Sequence, residues 1–215
     1  MFQPGTHNEV WSLDFLNDTL WDDRKFRMLN ILDDFNQELL HIETDLSLSS
    51  LRVIRVLEYL REFRGLPKMI RVDNGPEFIS HKLGGWCKEN KINLVFIQPG
   101  KPTQNAYVER CNGNIRRELL NAYVFHSLDN VREKAGKWMN DYNNVRPHKS
   151  LGYLPPIRFT ENKESSFIHK RRTKTIQKLK RAVLWIMRVP QQEITILNGT
   201  KIREAYRSHT KQSKL

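Results

Sequence analysis

The strongest constraint on this chain is a change of period at residue 50. Ahead of it, "VWSLDFLNDTL" sets Trp11, Leu13 and Phe15 against Ser12 and Asp14, the two-residue alternation of a half-buried strand. "WDDR" supplies turn chemistry, "KFRMLNILDDF" reads as the returning strand, and "ELLHIETDLS" completes an antiparallel meander. From Ser50 onward, Val53, Val56, Leu57, Leu60 and Phe63 recur at helical spacing, with Ser49 and Ser50 as N-cap candidates. Gly65 and Pro67 close that helix. "KMIRVD" is a fourth strand, "SHKLGGWCKEN" a short helix weakened by Gly84 and Gly85, and "INLVFIQPG" a fifth strand. Residues 105–123 read as a helix with Val108, Cys111, Ile115 and Leu119 on one side, and residues 128–144 as a further one. A meander followed by alternating helices and strands is a mixed α/β fold: a five-stranded mixed sheet with helices on both faces.

Charge divides the chain differently. The net charge of +12 is uneven: residues 1–159 carry 22 Lys/Arg against 20 Asp/Glu, whereas residues 160–215 carry 14 against 4. We therefore expect a residual linker at 1–8, a core at 9–159 and a basic extension at 160–215. A basic segment attracts polyanions, nucleic acid first, through counterion release; a merely solubilising tail has the same composition. Within the extension, 168–188 fits a basic amphipathic helix, and Asn198-Gly199 fits the tip of a hairpin. No apolar run approaches the length of a membrane helix, and the first residues lack the basic and apolar regions of a signal peptide. The only two cysteines, Cys87 and Cys111, lie in no metal-like spacing and read as buried thiols. The expectation is a cytoplasmic protein without membrane partners.

In "MIRVDNGPEF" a strand delivers Asp73 to its end and then stops at Asn-Gly-Pro, which neither strand nor helix continues. Asp14 lies in the first strand, on the side opposite Trp11, Leu13 and Phe15. Glu109 falls in the first turn of the helix after the fifth strand, facing away from the Val108/Ile115/Leu119 stripe. If these carboxylates converge, they repel: two unit charges about 4 Å apart cost roughly 4 kcal/mol at an effective dielectric near 20. A divalent cation reverses that sign, and hard oxygen donors suit Mg²⁺ or Mn²⁺. Solvated loop carboxylates fit the same pattern. Asp22/Asp23 and Asp33/Asp34 read as a turn and a strand end, and Glu77 as structural.

Four stretches in order, "NEVWSLDF", "RVDNGPEF", "FIQPGKPTQNAYVERCNGNIRREL" and "YNNVRPHKSLGYLPP", resemble the catalytic core of bacterial insertion-sequence transposases. These are the large class with two overlapping reading frames, akin to retroviral integrases. The resemblance runs from about Asn8 to Phe159, and thirty-five residues separate Asp73 from Glu109, the spacing typical of that Asp-Asp-Glu family. It implies a ribonuclease-H-like fold, and Asp14, Asp73 and Glu109 as catalytic ligands of two Mg²⁺ (or Mn²⁺) ions. It also implies water or a 3′-hydroxyl attacking a DNA phosphodiester in line, so that element ends are cut and joined to target DNA by a dimer or higher oligomer. Lys101, Gln104 and Asn105, in the loop before Glu109, are placed to touch the DNA backbone, or else simply to position the helix. Arg110, Arg116 and Arg117 on the polar face are phosphate-binding candidates, or a solvated face. Arg146, Pro147 and His148 are expected to fold back on the core.

Three departures from the pattern matter. The helix-turn-helix region that usually precedes the core is expected to be absent, Cys111 stands where an aromatic is common, and the basic tail matches nothing in the family. The alternatives are a truncated remnant that only binds DNA, and an RNA–DNA hybrid nuclease, which would depend on the 2′-hydroxyl.

Overall fold

The period change at residue 50 marks the point where the meander gives way to crossovers. A computed structural model of the chain describes residues 4–98 and 102–163, without the side chains of 102 and 103, and positions 165, 173 and 177. The chain divides into two compact units, Met1–Thr160 and Glu161–Leu215, and everything below concerns the first. The expected basic helix at 168–188 and the hairpin at Asn198-Gly199 fall, but for positions 173 and 177, outside the described residues.

Strands β1 (Val10–Thr19), β2 (Lys25–Asp33) and β3 (Glu38–Asp45) form the antiparallel meander. Helix α1 (Ser50–Arg64) ends at Gly65, whose φ of 81° is open to glycine without strain. It leads to β4 (Met69–Val72), which pairs parallel with β1, and β5 (Asn93–Phe96) pairs parallel with β4. The sheet order is β3-β2-β1-β4-β5, so β1 is central. Between β4 and β5, Pro76 opens the short helix α2 (Pro76–Ile79), where its missing N–H costs nothing, and α3 (His81–Glu89) follows. Helices α4 (Ala106–Ile115) and α5 (Leu128–Asn144) complete the unit.

Alternation along β1 and β2 builds two cores. Trp11, Leu13, Leu29 and Ile31 pack with Val53, Val56, Leu57 and Leu60 of α1 and with Leu83, Trp86 and Cys87 of α3. Met28 and Leu32 pack on the other face with Val108, Cys111 and Ile115 of α4 and with Val131, Ala135 and Tyr142 of α5. Helix α3 holds despite Gly84 and Gly85, because Leu83, Trp86 and Cys87 are buried and the Trp86 indole donates to Glu58 at 2.6 Å.

Two elements depart from expectation. Phe63 is 74% exposed rather than part of the α1 stripe. At about 100° per residue it lies about 70° from the centre of the stripe, just beyond Val56 at its edge, whereas Arg64 falls near the centre; Arg64 pairs with Glu38, and the Phe63 ring meets that of Tyr59. The helix expected at 105–123 starts as a 3₁₀ turn (Pro102–Asn105), is α-helical through Ile115, and widens to a π turn at Arg116–Leu120. That turn, with Asn121 N–H on the Arg116 carbonyl at 2.8 Å, buries both Leu119 and Leu120 and leaves Arg116, Arg117 and Glu118 outside. No helix among the described residues is long and apolar enough to cross a membrane.

Candidate active site

Register places the carboxylates. The last parallel pair between β1 and β4 is Ser12 with Arg71. Two residues further along each chain come Asp14, still in β1, and Asp73, one residue past β4, close enough for the Asp73 charge to act on Asp14. β4 ends at Val72, so Asp73 rides on a turn, where its Oδ1 accepts the Gly75 N–H at 2.9 Å and Asn74 donates to the Ile97 carbonyl at 3.0 Å. Asp14 faces the α4 layer. Its Oδ2 accepts from the Asn112 side chain at 2.8 Å, and its Oδ1 from the Phe15 N–H at 2.8 Å. Glu109 stands in the first turn of α4, three residues before Asn112, and all three carboxylates are half-buried.

Burial pushes the Asp14 carboxyl up to about 6, and the negative charges of Asp73 and Glu109 add to that push. The Phe15 N–H and the Asn112 amide pull the other way without cancelling it. Burial raises Glu109 as well. Nearby guanidinium groups are committed elsewhere: Arg27 to Glu77, Arg71 to Asp34, and Arg116 to the Asn17 carbonyl. Among the described residues none of the three carboxylates has an ion-pair partner. Hard oxygen donors of this kind suit Mg²⁺ or Mn²⁺ rather than a soft metal. Among the described residues, no three His, Cys, Asp or Glu side chains are drawn together closely enough to form a finished metal cluster.

The other expected residues scatter. Lys101 lies outside the described residues. Gln104 turns back to accept the Gln98 N–H at 2.8 Å. Asn105 is only 2% exposed, packed at the start of α4 with its Oδ1 unpartnered, so its side chain is not offered to a DNA backbone. Arg110, Arg116 and Arg117 are exposed on the polar side of α4 and the π turn. His148 does fold back: its Nε2 meets the Tyr142 carbonyl at 3.2 Å and its ring stands edge-on to Tyr142. Asp33 and Asp34 are buried and hydrogen-bonded, Asp34 to Ser12 and Arg71. Asp22 pairs with Arg24 in the turn, and Glu77 pairs with Arg27.

Two residues that sequence reasoning missed complete the site. Asn30, the cross-strand partner of Asp14, donates to Asn112 Oδ1 at 2.7 Å, and Asn112 donates onward to Asp14. The signal in the sequence was a lone amide within the apolar run of β2, directly opposite Asp14.

Two family models described as integrase core domains match the chain in succession, over residues 5–102 and 90–156. The chain is 46% identical over 156 residues to a 31.7 kDa protein of insertion element IS407 from Burkholderia multivorans, covering 73% of this chain and 56% of that protein. It is 42% identical over 155 residues to a 39.2 kDa protein of insertion element IS476 from Xanthomonas euvesicatoria, covering 72% and 45% respectively. The chain thus spans about half the length of these relatives. The catalytic core domain of HTLV-2 integrase, solved in complex with magnesium, superposes with a TM-score of 0.60 at 20% identity, over 74% of this chain and 99% of that one. That likeness establishes the shared ribonuclease-H-like fold. The two integrase core matches together span residues 5–156, and with them the strands and helices that carry Asp14, Asp73 and Glu109; by these matches the chain belongs to the integrase core family, alongside proteins of bacterial insertion elements.

Proposed function

We propose that this chain cuts DNA strands and transfers their ends to new DNA, as a metal-dependent polynucleotidyl transferase of the Asp-Asp-Glu type. One observation supports this most directly: a raised, half-buried Asp14 abreast of Asp73 and near Glu109, with no ion-pair partner among the described residues. Asp14, Asp73 and Glu109 hold two Mg²⁺ or Mn²⁺ ions. When bound, such ions make an attacking oxygen more nucleophilic and offset charge on the leaving oxygen.

The chain's own groups do the positioning. Asn112 fixes the carboxylate plane of Asp14, and Asn30 fixes Asn112. Arg110, next to Glu109 in sequence, and Arg116 and Arg117, exposed about two turns further on, take DNA phosphates and set the scissile bond in line. Water attacks phosphorus first, and the bond to the departing oxygen breaks as the new one forms, leaving a free 3′-hydroxyl. That hydroxyl then attacks a target phosphodiester. One such bond forms for each one broken, so transfer needs no energy source. The basic segment beyond residue 160 serves as a DNA-attracting arm, and joining two ends calls for a dimer or larger assembly.

The test is nicking and joining of branched DNA with Mg²⁺ or Mn²⁺, comparing the chain with Asp73→Asn. Metal-dependent products that vanish in the variant are expected. No products from either, with salt-sensitive DNA binding retained, would replace this reading with that of a DNA-binding remnant.

A further inference from the structure

The motif around Asp73 poses a problem that backbone pairing does not solve. On the β1 side the ladder stops at Ser12–Arg71, two residues short of the aspartates. On the far side β5 continues to hold the turn, through Val72 with Phe96, the Ile97 N–H on the Val72 carbonyl at 2.9 Å, and the bond from Asn74 to the Ile97 carbonyl. Past Ser12, the contacts joining the Asp73 turn to β1 and β2 are made by side chains. Phe15, next to Asp14, stacks on Phe78 with ring centroids 4.9 Å apart at 27°, and Phe78 is fully buried. Arg27 of β2 lies with its guanidinium 4.2 Å from the centre of the Phe15 ring, donates to Asn17 at 3.1 Å, and closes an ion pair on Glu77. One arginine thus grips the neighbour of Asp14 and the helix that follows Asp73. The fit is close at the turn itself. A methyl group on Gly75 would meet Asp73 Oδ1 at 3.0 Å, Glu77 Oε2 at 3.5 Å and Phe78 at 3.6 Å.

We infer that Arg27 and Glu77 are positioning residues: their ion pair, clamped over the Phe15–Phe78 stack, sets the distance between Asp73 and Asp14 at which a divalent cation binds. This rests on the reading of those two aspartates as metal ligands. Neither Arg27 nor Glu77 touches the cation. Release of the latch leaves the Asp73 turn tied to β5 and held toward β1 past Ser12 by the Phe15–Phe78 stack without its clamp, so the two aspartates drift relative to each other and the cation meets a looser pair.

The experiment measures Mn²⁺ binding to the full chain by electron paramagnetic resonance, without DNA, for wild type, Glu77→Gln, Arg27→Gln, the exchange Arg27→Glu with Glu77→Arg, and Asp73→Asn. Thermal melting in chelator is recorded alongside. Each single latch variant is expected to weaken Mn²⁺ binding by about tenfold, the low end of what losing a group that orients a metal ligand costs. The exchanged pair is expected to recover most of that loss. Unchanged affinity in Glu77→Gln, with binding abolished in Asp73→Asn, would overturn the latch while leaving the metal site standing. An exchanged pair that regains its melting temperature but not its affinity would also overturn it, since the pair would then serve stability alone. Wild-type chain that binds no Mn²⁺ would take down the ligand assignment, and the latch with it.

Discussion

Arg71→Met tests the buried pair beneath the aspartates. Arg71 and Asp34 are both buried, 2.7 Å apart, and Asp34 also accepts the Ser12 hydroxyl at 2.6 Å. Methionine fills similar space but leaves a carboxylate without its cation, and breaking a buried pair from one side costs about 3–5 kcal/mol. Burial already pushes Asp34 up to about 6 from 3.8, with Arg71 pulling it down. The sign follows from proton binding. Between about pH 4 and 6 the folded state holds a proton that the unfolded state has lost, so stability falls as pH rises through that window. For wild type the fall is worth about 3 kcal/mol at most. Without the guanidinium the folded carboxyl holds its proton to still higher pH, and the window widens upward. Urea unfolding in chelator should therefore give a large loss at pH 8 that shrinks markedly at pH 5, where Asp34 is protonated and needs no cation. An equal loss at both values would refute the electrostatic argument and assign the effect to Arg71's packing.

Gly75→Ala is compatible with the local backbone, where φ is −62°, but its methyl crowds Asp73 Oδ1 at 3.0 Å. Strand transfer should drop by about tenfold or more, because small displacements of a reacting group are costly, while melting barely moves; an unchanged rate would mean the turn yields freely. Asn112→Ala removes the donor to Asp14 and leaves the buried Asn30 amide without its acceptor. The expected loss in urea unfolding is about 1–3 kcal/mol, together with reduced activity. The Cys111 thiol is pushed up to about 12 and Cys87 to about 11 by burial. Iodoacetamide at pH 8 should therefore label the folded chain only as fast as it unfolds, and prompt labelling of both would contradict their burial.

Much of this was legible along the chain because it is local. The alternation around Asp14 puts it on the face opposite Trp11, Leu13 and Phe15, as expected, and α5 spans Leu128–Asn144 as its stripe indicated. Asp73 at a strand end followed from Asn-Gly-Pro, whereas the short helix that Pro76 opens was not expected. What escaped was set by distant partners. Asn105 reads as a loop amide, yet at the start of α4 it is buried from solvent. The π turn at Arg116 arises because two successive leucines both find apolar cover, which helical periodicity does not anticipate. Asn30 joins the site only through its register with Asp14, and Arg27 only through Glu77, fifty residues on.

The position of β1 in the strand order has a consequence for synthesis. The meander is made of neighbours in sequence and has all its residues early, but one flank of β1 must wait for β4, which arrives only after α1 has been made. Until then the strand destined for the middle of the sheet is an open margin carrying Trp11 and Leu13, ready to recruit strands from other chains. The nascent chain is thus most prone to aggregate between the emergence of β3 and that of β4, and a ribosome stalled in that interval would expose the most adhesive form this sequence can take.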